Sequence, residues 1–158
     1  MQVLMNKISI TIILFIAEGA FSGKSPFAPG TAGTLVGVLL YLGLQNIGVV
    51  PYAAVTILVC VIGTWAAGRA ETILGTKDSP SIVIDEIAGY LIAMYMVPAG
   101  WGYIAAAFFV FRVFDIIKPW PLFDLQKVQG GLGVMLDDIG AGIYTNIVLQ
   151  AAAYLVNR

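Results

Sequence analysis

Apolar runs at residues 34–46, 52–70, 82–97, 101–117 and 139–156, with a further one at 8–17, take up most of this chain. A bilayer-crossing helix needs about 20 such residues, and inside lipid every backbone polar group must find its partner within the protein. The pattern predicts an all-α, polytopic membrane bundle of about four to six apolar helices. The runs at 34–46 and 82–97 are short for a full crossing, which predicts tilted, broken or partly re-entrant segments. Small residues recur at helical spacing, Gly33 with Gly37 and Gly63 with Ala67, as close helix packing requires.

Composition narrows the chemistry. The 158 residues suit one domain, 1–158, with 59% hydrophobic and 11% charged residues, against roughly a quarter charged in an ordinary soluble domain. The net charge of -1 lacks the basic footprint of nucleic-acid binding. Histidine is absent, which removes imidazole as base, nucleophile or metal ligand. The one cysteine, Cys60, lies within an apolar run with no base beside it in sequence, and reads as a small hydrophobe. The amino-terminal run is followed by Glu18 and a poor cleavage signal, so it reads as retained, in the membrane or at its surface.

The loops are unequal. Residues 45–51 and 98–102 carry no charge, whereas 22–31, 69–86 and 112–138 carry nearly everything ionisable. If the runs alternate across a bilayer, those three loops share one side. That side has Lys24, Arg69, Lys77, Arg112, Lys118 and Lys127, against Lys7 and Arg158 on the other. The excess of cations places the charged side in the cytoplasm.

Each polar loop offers groups suited to a phosphate or a cation. In the first, prolines and glycines exclude helix up to about Gly30, after which Thr31 or Thr34 suits an N-cap. It is not a Walker-type sequence, yet Lys24, Ser25 and Thr31 next to a helix start would suit a phosphate as well as an ordinary capped loop. In the second, Asp85 and Glu86 lie between Ile84 and Ile87 near the start of an apolar helix. The helix dipole accounts for one acid there; two adjacent acids also suit a hard cation such as Mg²⁺. In the third, Arg112, Asp115 and Lys118 are spaced i, i+3, i+6 on a helix that Pro119 ends. That arrangement fits either a private ion pair or a metal ligand between two phosphate clamps. Trp120 reads as an interfacial anchor. Gly130, Gly131 and Gly133 then precede Asp137 and Asp138, of which one reads as an N-cap of the last run.

Three blocks, SPFAPGTAGTL at 25–35, SIVIDEIAGYLI at 81–92 and FRVFDIIKPWPLFDLQKVQGGLGVMLDDIGAGIY at 111–144, resemble the bacterial phosphatidylglycerophosphatase A family in order and spacing. The resemblance implies an all-helical, membrane-embedded enzyme that uses Mg²⁺ to remove the terminal phosphate of phosphatidylglycerophosphate, in the bacterial cytoplasmic (inner) membrane with its site facing the cytoplasm. Its acidic positions fall on Asp85, Glu86, Asp115, Asp137 and Asp138, and its basic ones on Arg112 and Lys118. The family commonly has His where this chain has Gln129, a residue that exchanges hydrogen bonds but cannot act as a general acid.

With no His and no activated Cys or Ser, the expected mechanism is attack by metal-activated water. The five acids would hold one or two Mg²⁺, with Asp85, Glu86, Asp115 and Asp138 closest to the chemistry. Arg112 and Lys118 would bind the phosphoryl oxygens, assisted by Lys24, Ser25 and Thr31. An aspartyl-phosphate route competes with it. The phospholipid and the bilayer are the expected partners. Two other classes are weighed: a small transporter, which would place charges at the membrane midplane, and another lipid-phosphate enzyme such as a CDP-alcohol phosphotransferase, whose signature this chain does not carry.

Overall fold

The computed structural model describes residues 6–125 and 127–156; Arg158, one of the two cations assigned to the far side, lies outside them. The elements in order are α1 (Lys7–Ala17), a single 3₁₀ turn (Ser22–Lys24), α2 (Pro29–Leu44), α3 (Val49–Leu74), α4 (Ile84–Ala93), α5 (Trp101–Ile117), α6 (Leu122–Leu125) and α7 (Gly131–Val156). No strand occurs among the described residues, in agreement with the all-α expectation.

Two helices, α3 and α7, are long and apolar enough to cross a membrane, each with 26 residues. At about 1.5 Å per residue each exceeds the roughly 30 Å hydrocarbon layer. Only 22% and 28% of their most apolar stretches are buried inside the protein. Ile57, Leu58, Val61 and Trp65 of α3, and Ile143, Ile147 and Leu155 of α7, project outward. A helix at the core of a soluble protein would bury them, so this exterior calls for an apolar environment. The remaining apolar helices are shorter, from 10 residues in α4 to 17 in α5.

The α4 helix lies at the centre, packed by α2, α3, α5 and α7, with Ala88, Tyr90, Leu91 and Ala93 fully enclosed. It does not continue through the apolar run to Val97: it ends at Ala93, and residues 94–100 turn away before α5. With 10 residues it reaches only about 15 Å, so its terminal carbonyls need donors inside the protein. Tyr52 Oη of α3 donates to the Leu91 carbonyl at 2.7 Å. Asn146 Nδ2 of α7 donates to Ala93 O at 3.0 Å and Tyr95 O at 2.7 Å, and Gln150 Nε2 to Tyr95 O at 3.2 Å. Asn146→Leu keeps the volume and removes two of these bonds. It is expected to lower stability by about 1–3 kcal/mol, read as earlier thermal unfolding in detergent micelles; unchanged unfolding would show that the carbonyls do not need Asn146.

Two helix starts differ from the sequence reading. Helix α2 begins at Pro29, whose fixed φ and missing N–H suit a first helical position, with Ala28 as N-cap. Thr34 is a buried mid-helix residue whose hydroxyl donates to Gly30 O at 2.8 Å, so neither threonine caps the helix. Helix α7 begins at Gly131 rather than near Ile139. Asp137 and Asp138 therefore lie about two turns inside it, and neither is an N-cap. The glycines are helical because α7 presses on its neighbours: a Cβ on Gly131 would overlap the Thr64 carbonyl of α3, and one on Gly133 the Val128 carbonyl.

Candidate active site

The three charged loops meet at one end of the bundle, around a cavity of about 300 Å³. One wall is the start of α4. The preceding turn is fixed where Val83 N–H donates to Ala17 O at the end of α1 (2.9 Å). Ile84 and Ile87 then enter the core beside Ala67 and Met135. A helix advances about 100° per residue, so burying those two isoleucines turns Asp85 and Glu86 to the opposite side, toward the cavity.

The second wall is the end of α5. Pro119 stops the helix at Ile117, and Lys118 takes the left-handed cap position at φ 46°, a conformation a bulky side chain seldom adopts. Arg112 is ion-paired with Asp115, and its Nη1 lies 3.7 Å from Glu86 Oε1. Lys118 Nζ is ion-paired with Asp137 of α7, and Asp138 beside it is almost completely buried.

Three of these acids form a cluster suited to a cation: Asp85, Glu86 and Asp138 each offer an oxygen, all within 4.8 Å of one another. Asp85 Oδ1 and Glu86 Oε2 are buried with no hydrogen-bond partner. A buried carboxylate oxygen without a partner is costly, and adjacent carboxylates repel. Burial, then the charges of Glu86 and Asp138, push the Asp85 carboxyl well above the usual carboxylate range. A divalent cation with hard oxygen ligands would relieve both costs, so the donor set fits one. At Lys118 burial pulls the ammonium pKa down, but the hydrogen bond and charge of Asp137 outweigh it and hold the group above its ordinary value. It stays positive at neutral pH.

Of the residues singled out in the sequence, Asp85, Glu86, Arg112, Asp115, Lys118, Asp137 and Asp138 all line this cavity. Lys24, Ser25 and Thr31 do not. Lys24 Nζ lies 3.3 Å from the buried Glu18 carboxylate and over the Phe21 ring, and Ser25 Oγ donates to Phe27 O at 2.8 Å. Thr31 is half-buried in the first turn of α2. Gln129 is exposed and away from the cavity wall. Two features escaped the sequence reading. Gly30 lies against the Glu86–Arg112 pair, where a Cβ would stand 2.9 Å from Arg112 Nη1, and Asp78 and Ser79 line the cavity from the α3–α4 loop. The Pro29-Gly30 pair marked only a break in helix, and Asp78 only a charged loop.

Clustered carboxylates facing a guanidinium and an ammonium, at one end of an apolar helical bundle, form a donor set suited to a cation together with a phosphate. Comparison with known proteins is more specific. The family described as Phosphatidylglycerophosphatase A matches residues 15–153. A phosphatidylglycerophosphatase A of Haemophilus influenzae is 39% identical, over 95% of this chain and 94% of its own length. One of Escherichia coli K12 is 36% identical, over 85% of this chain and 79% of its own. A Bacteroides thetaiotaomicron protein, provisionally named a phosphatidylinositol-3-phosphatase, is 37% identical over 90% and 94%. No solved structure matches significantly. The chain belongs to the phosphatidylglycerophosphatase A family.

Proposed function

We infer that this chain hydrolyses the terminal phosphomonoester of phosphatidylglycerophosphate to phosphatidylglycerol and phosphate, with Mg²⁺ as cofactor. The observation that carries this reading is the meeting of Asp85, Glu86 and Asp138 with Arg112 and Lys118 in one cavity. The three clustered acids would hold the cation, with Asp115 and Asp137 beside it. Bound there, Mg²⁺ supplies charge neutralisation at the phosphoryl group and a more acidic water.

The chain's own side chains supply the rest. Arg112 presents its fork of donors to the phosphoryl oxygens, oriented by Asp115 and Glu86. Lys118 adds a second positive charge, aimed by Asp137. Water attacks phosphorus in line with the departing glycerol oxygen; one P–O bond forms as the other breaks. The attacking water gives a proton to a cavity carboxylate, and the leaving oxygen takes one up. Lys24, Ser25 and Thr31 are left to shape the loop, since none lines the cavity.

The chain acts in this reading as one unit, multi-pass in the bacterial cytoplasmic membrane, with the cavity at the cytoplasmic face. The cation-rich loops support that orientation. The 16 and 17 residues of α2 and α5 suit short crossings with local thinning. Everted and right-side-out membrane vesicles test cofactor and orientation together. External EDTA is expected to abolish phosphate release from phosphatidylglycerophosphate in everted vesicles only, with Mg²⁺ restoring it. Release that survives chelation in detergent would overturn the cofactor, and a response in right-side-out vesicles the orientation. Faster release from phosphatidylinositol 3-phosphate would replace the substrate.

A further inference from the structure

We propose that Asp78 is a specificity-determining residue that accepts a hydrogen bond from the free hydroxyl next to the phosphate in the substrate's terminal glycerol. The inference rests on the reading of the site given above and extends it from the phosphate to the leaving group.

Asp78 lies in the cavity wall and is itself exposed, which puts it at the mouth rather than the floor. Its loop is held in shape at several points. Gly75 ends α3 in the left-handed conformation. Glu71 reaches forward so that its carboxylate accepts from Asp78 N–H at 2.7 Å. The hydroxyls of Ser79 and Ser81 share a hydrogen bond at 3.1 Å. Asp78 itself has φ 48°, a region that Asp tolerates better than most residues.

The charges of the cavity are divided unevenly. Arg112 is committed to Asp115 and Glu86, and Lys118 to Asp137, in the interior where the phosphoryl group is placed. Among the described residues the Asp78 carboxylate has no ion-pair partner. A substrate whose phosphate reaches Arg112 and Lys118 must extend its glycerol toward the mouth. The donor of that glycerol is one hydroxyl, on the carbon beside the phosphate-bearing carbon. An ionised carboxylate accepts hydrogen bonds and has none to donate, which suits it to the hydroxyl between the substrate's two phosphate groups. Asp78 is thus matched to a hydroxyl-bearing leaving group.

The test compares phosphatidylglycerophosphate with phosphatidylpropanediol phosphate, in which hydrogen replaces that hydroxyl, using purified full-length protein with Mg²⁺. The wild type is expected to favour the hydroxylated lipid by about 10- to 100-fold in kcat/KM, well short of the roughly 10⁴-fold or more of a buried hydroxyl site, because water can reach the exposed Asp78 carboxylate. Asp78→Gly, which adopts a positive φ freely, should raise KM for phosphatidylglycerophosphate by a similar factor and treat the two lipids alike. Asp78→Asn, which keeps an acceptor oxygen, should recover part of the preference. Where the analogue turns over too slowly, its inhibition constant replaces kcat/KM. The proposal is overturned if the wild type does not distinguish the lipids, or if Asp78→Gly slows both equally or keeps the wild-type preference. It is equally overturned if that variant changes only the Mg²⁺ requirement. Phosphatidylglycerophosphate hydrolysis by the wild type and its loss in Asp138→Asn serve as controls: failure there overturns the reading of the whole site, whereas an unchanged preference with both controls intact rejects Asp78 alone.

Discussion

Asp138→Asn will fold, will be at least as heat-stable as the wild type in EDTA, and will lose more than about a hundredfold in turnover. The two halves of this result have one cause. Asp138 is 2% exposed, and its oxygen lies within 4.8 Å of ligand atoms of Asp85 and Glu86. Without a cation, three carboxylates in that space repel one another, and replacing one by a neutral isostere of the same shape removes part of the repulsion. With a cation, the same change removes a ligand. Altering even the outer partners of metal ligands costs roughly 10–100-fold, so loss of a direct ligand exceeds that. The wild type should also gain thermal stability on adding Mg²⁺, as any ligand that binds only the folded state produces, and the variant should gain little. Destabilisation in EDTA with activity retained would mean that the cluster serves the fold and that the cation reading is wrong.

The parts of this site legible in the sequence were those whose reasons are local. Pro119 must stop a helix, and three charged residues at i, i+3, i+6 before it must share a side; Arg112, Asp115 and Lys118 stand in the cavity wall accordingly. Asp85 and Glu86 between two isoleucines stood out because the helix dipole accounts for only one acid there, and their loop shares the charged side with the other two. What failed depended on distant partners. Helix α4 stops at Ala93 within an unbroken apolar run, where Tyr52 and Asn146 meet the Leu91 and Ala93 carbonyls and Asn146 and Gln150 hold Tyr95 O in the turn that follows, some 40 to 55 residues away in sequence. Asp137 and Asp138 looked like the residues before a helix, since glycine weakens helices. Only the backbone of α3 against Gly131 shows that these glycines permit close contact inside one. Lys24 was grouped with the phosphate ligands by its loop, while its charge is spent on Glu18, a buried carboxylate with no polar signal around it. The apolar outer surfaces of α3 and α7 were plain from composition, because both helices draw on long runs with almost no charge.

The same dependence on distant contacts makes Gly89→Ala a test of how the site is held together. Gly89 lies one turn beyond Glu86 on α4, where α5 and α7 both approach. A Cβ there would stand 2.6 Å from Phe111 Cε2 and 2.7 Å from the Asp138 carbonyl oxygen. Phe111 is fully buried, and the carbonyl belongs to a packed helix, so neither yields without movement of a whole element. Ordinary contact begins at 3.4 Å, so α7 must withdraw from α4 by several tenths of an ångström, and Asp138 is displaced relative to Asp85 and Glu86. Alanine favours the isolated helix by about 1 kcal/mol over glycine, which offsets part of the roughly 1–3 kcal/mol that overpacking costs. The net loss of stability is therefore small. Activity has no such compensation, since a displacement of about 1 Å at a catalytic centre can cost about a hundredfold. The expected signature is a protein that unfolds within a few degrees of the wild type but turns over phosphatidylglycerophosphate at least about tenfold more slowly. Gly43→Ala is the control: it sits in α2 with nothing within 4 Å of the added carbon, and should keep full activity with equal or higher stability. If Gly89→Ala keeps full activity as well, the spacing of α4 and α7 does not set the geometry of the acids, and the cluster must tolerate looser packing than its burial implies.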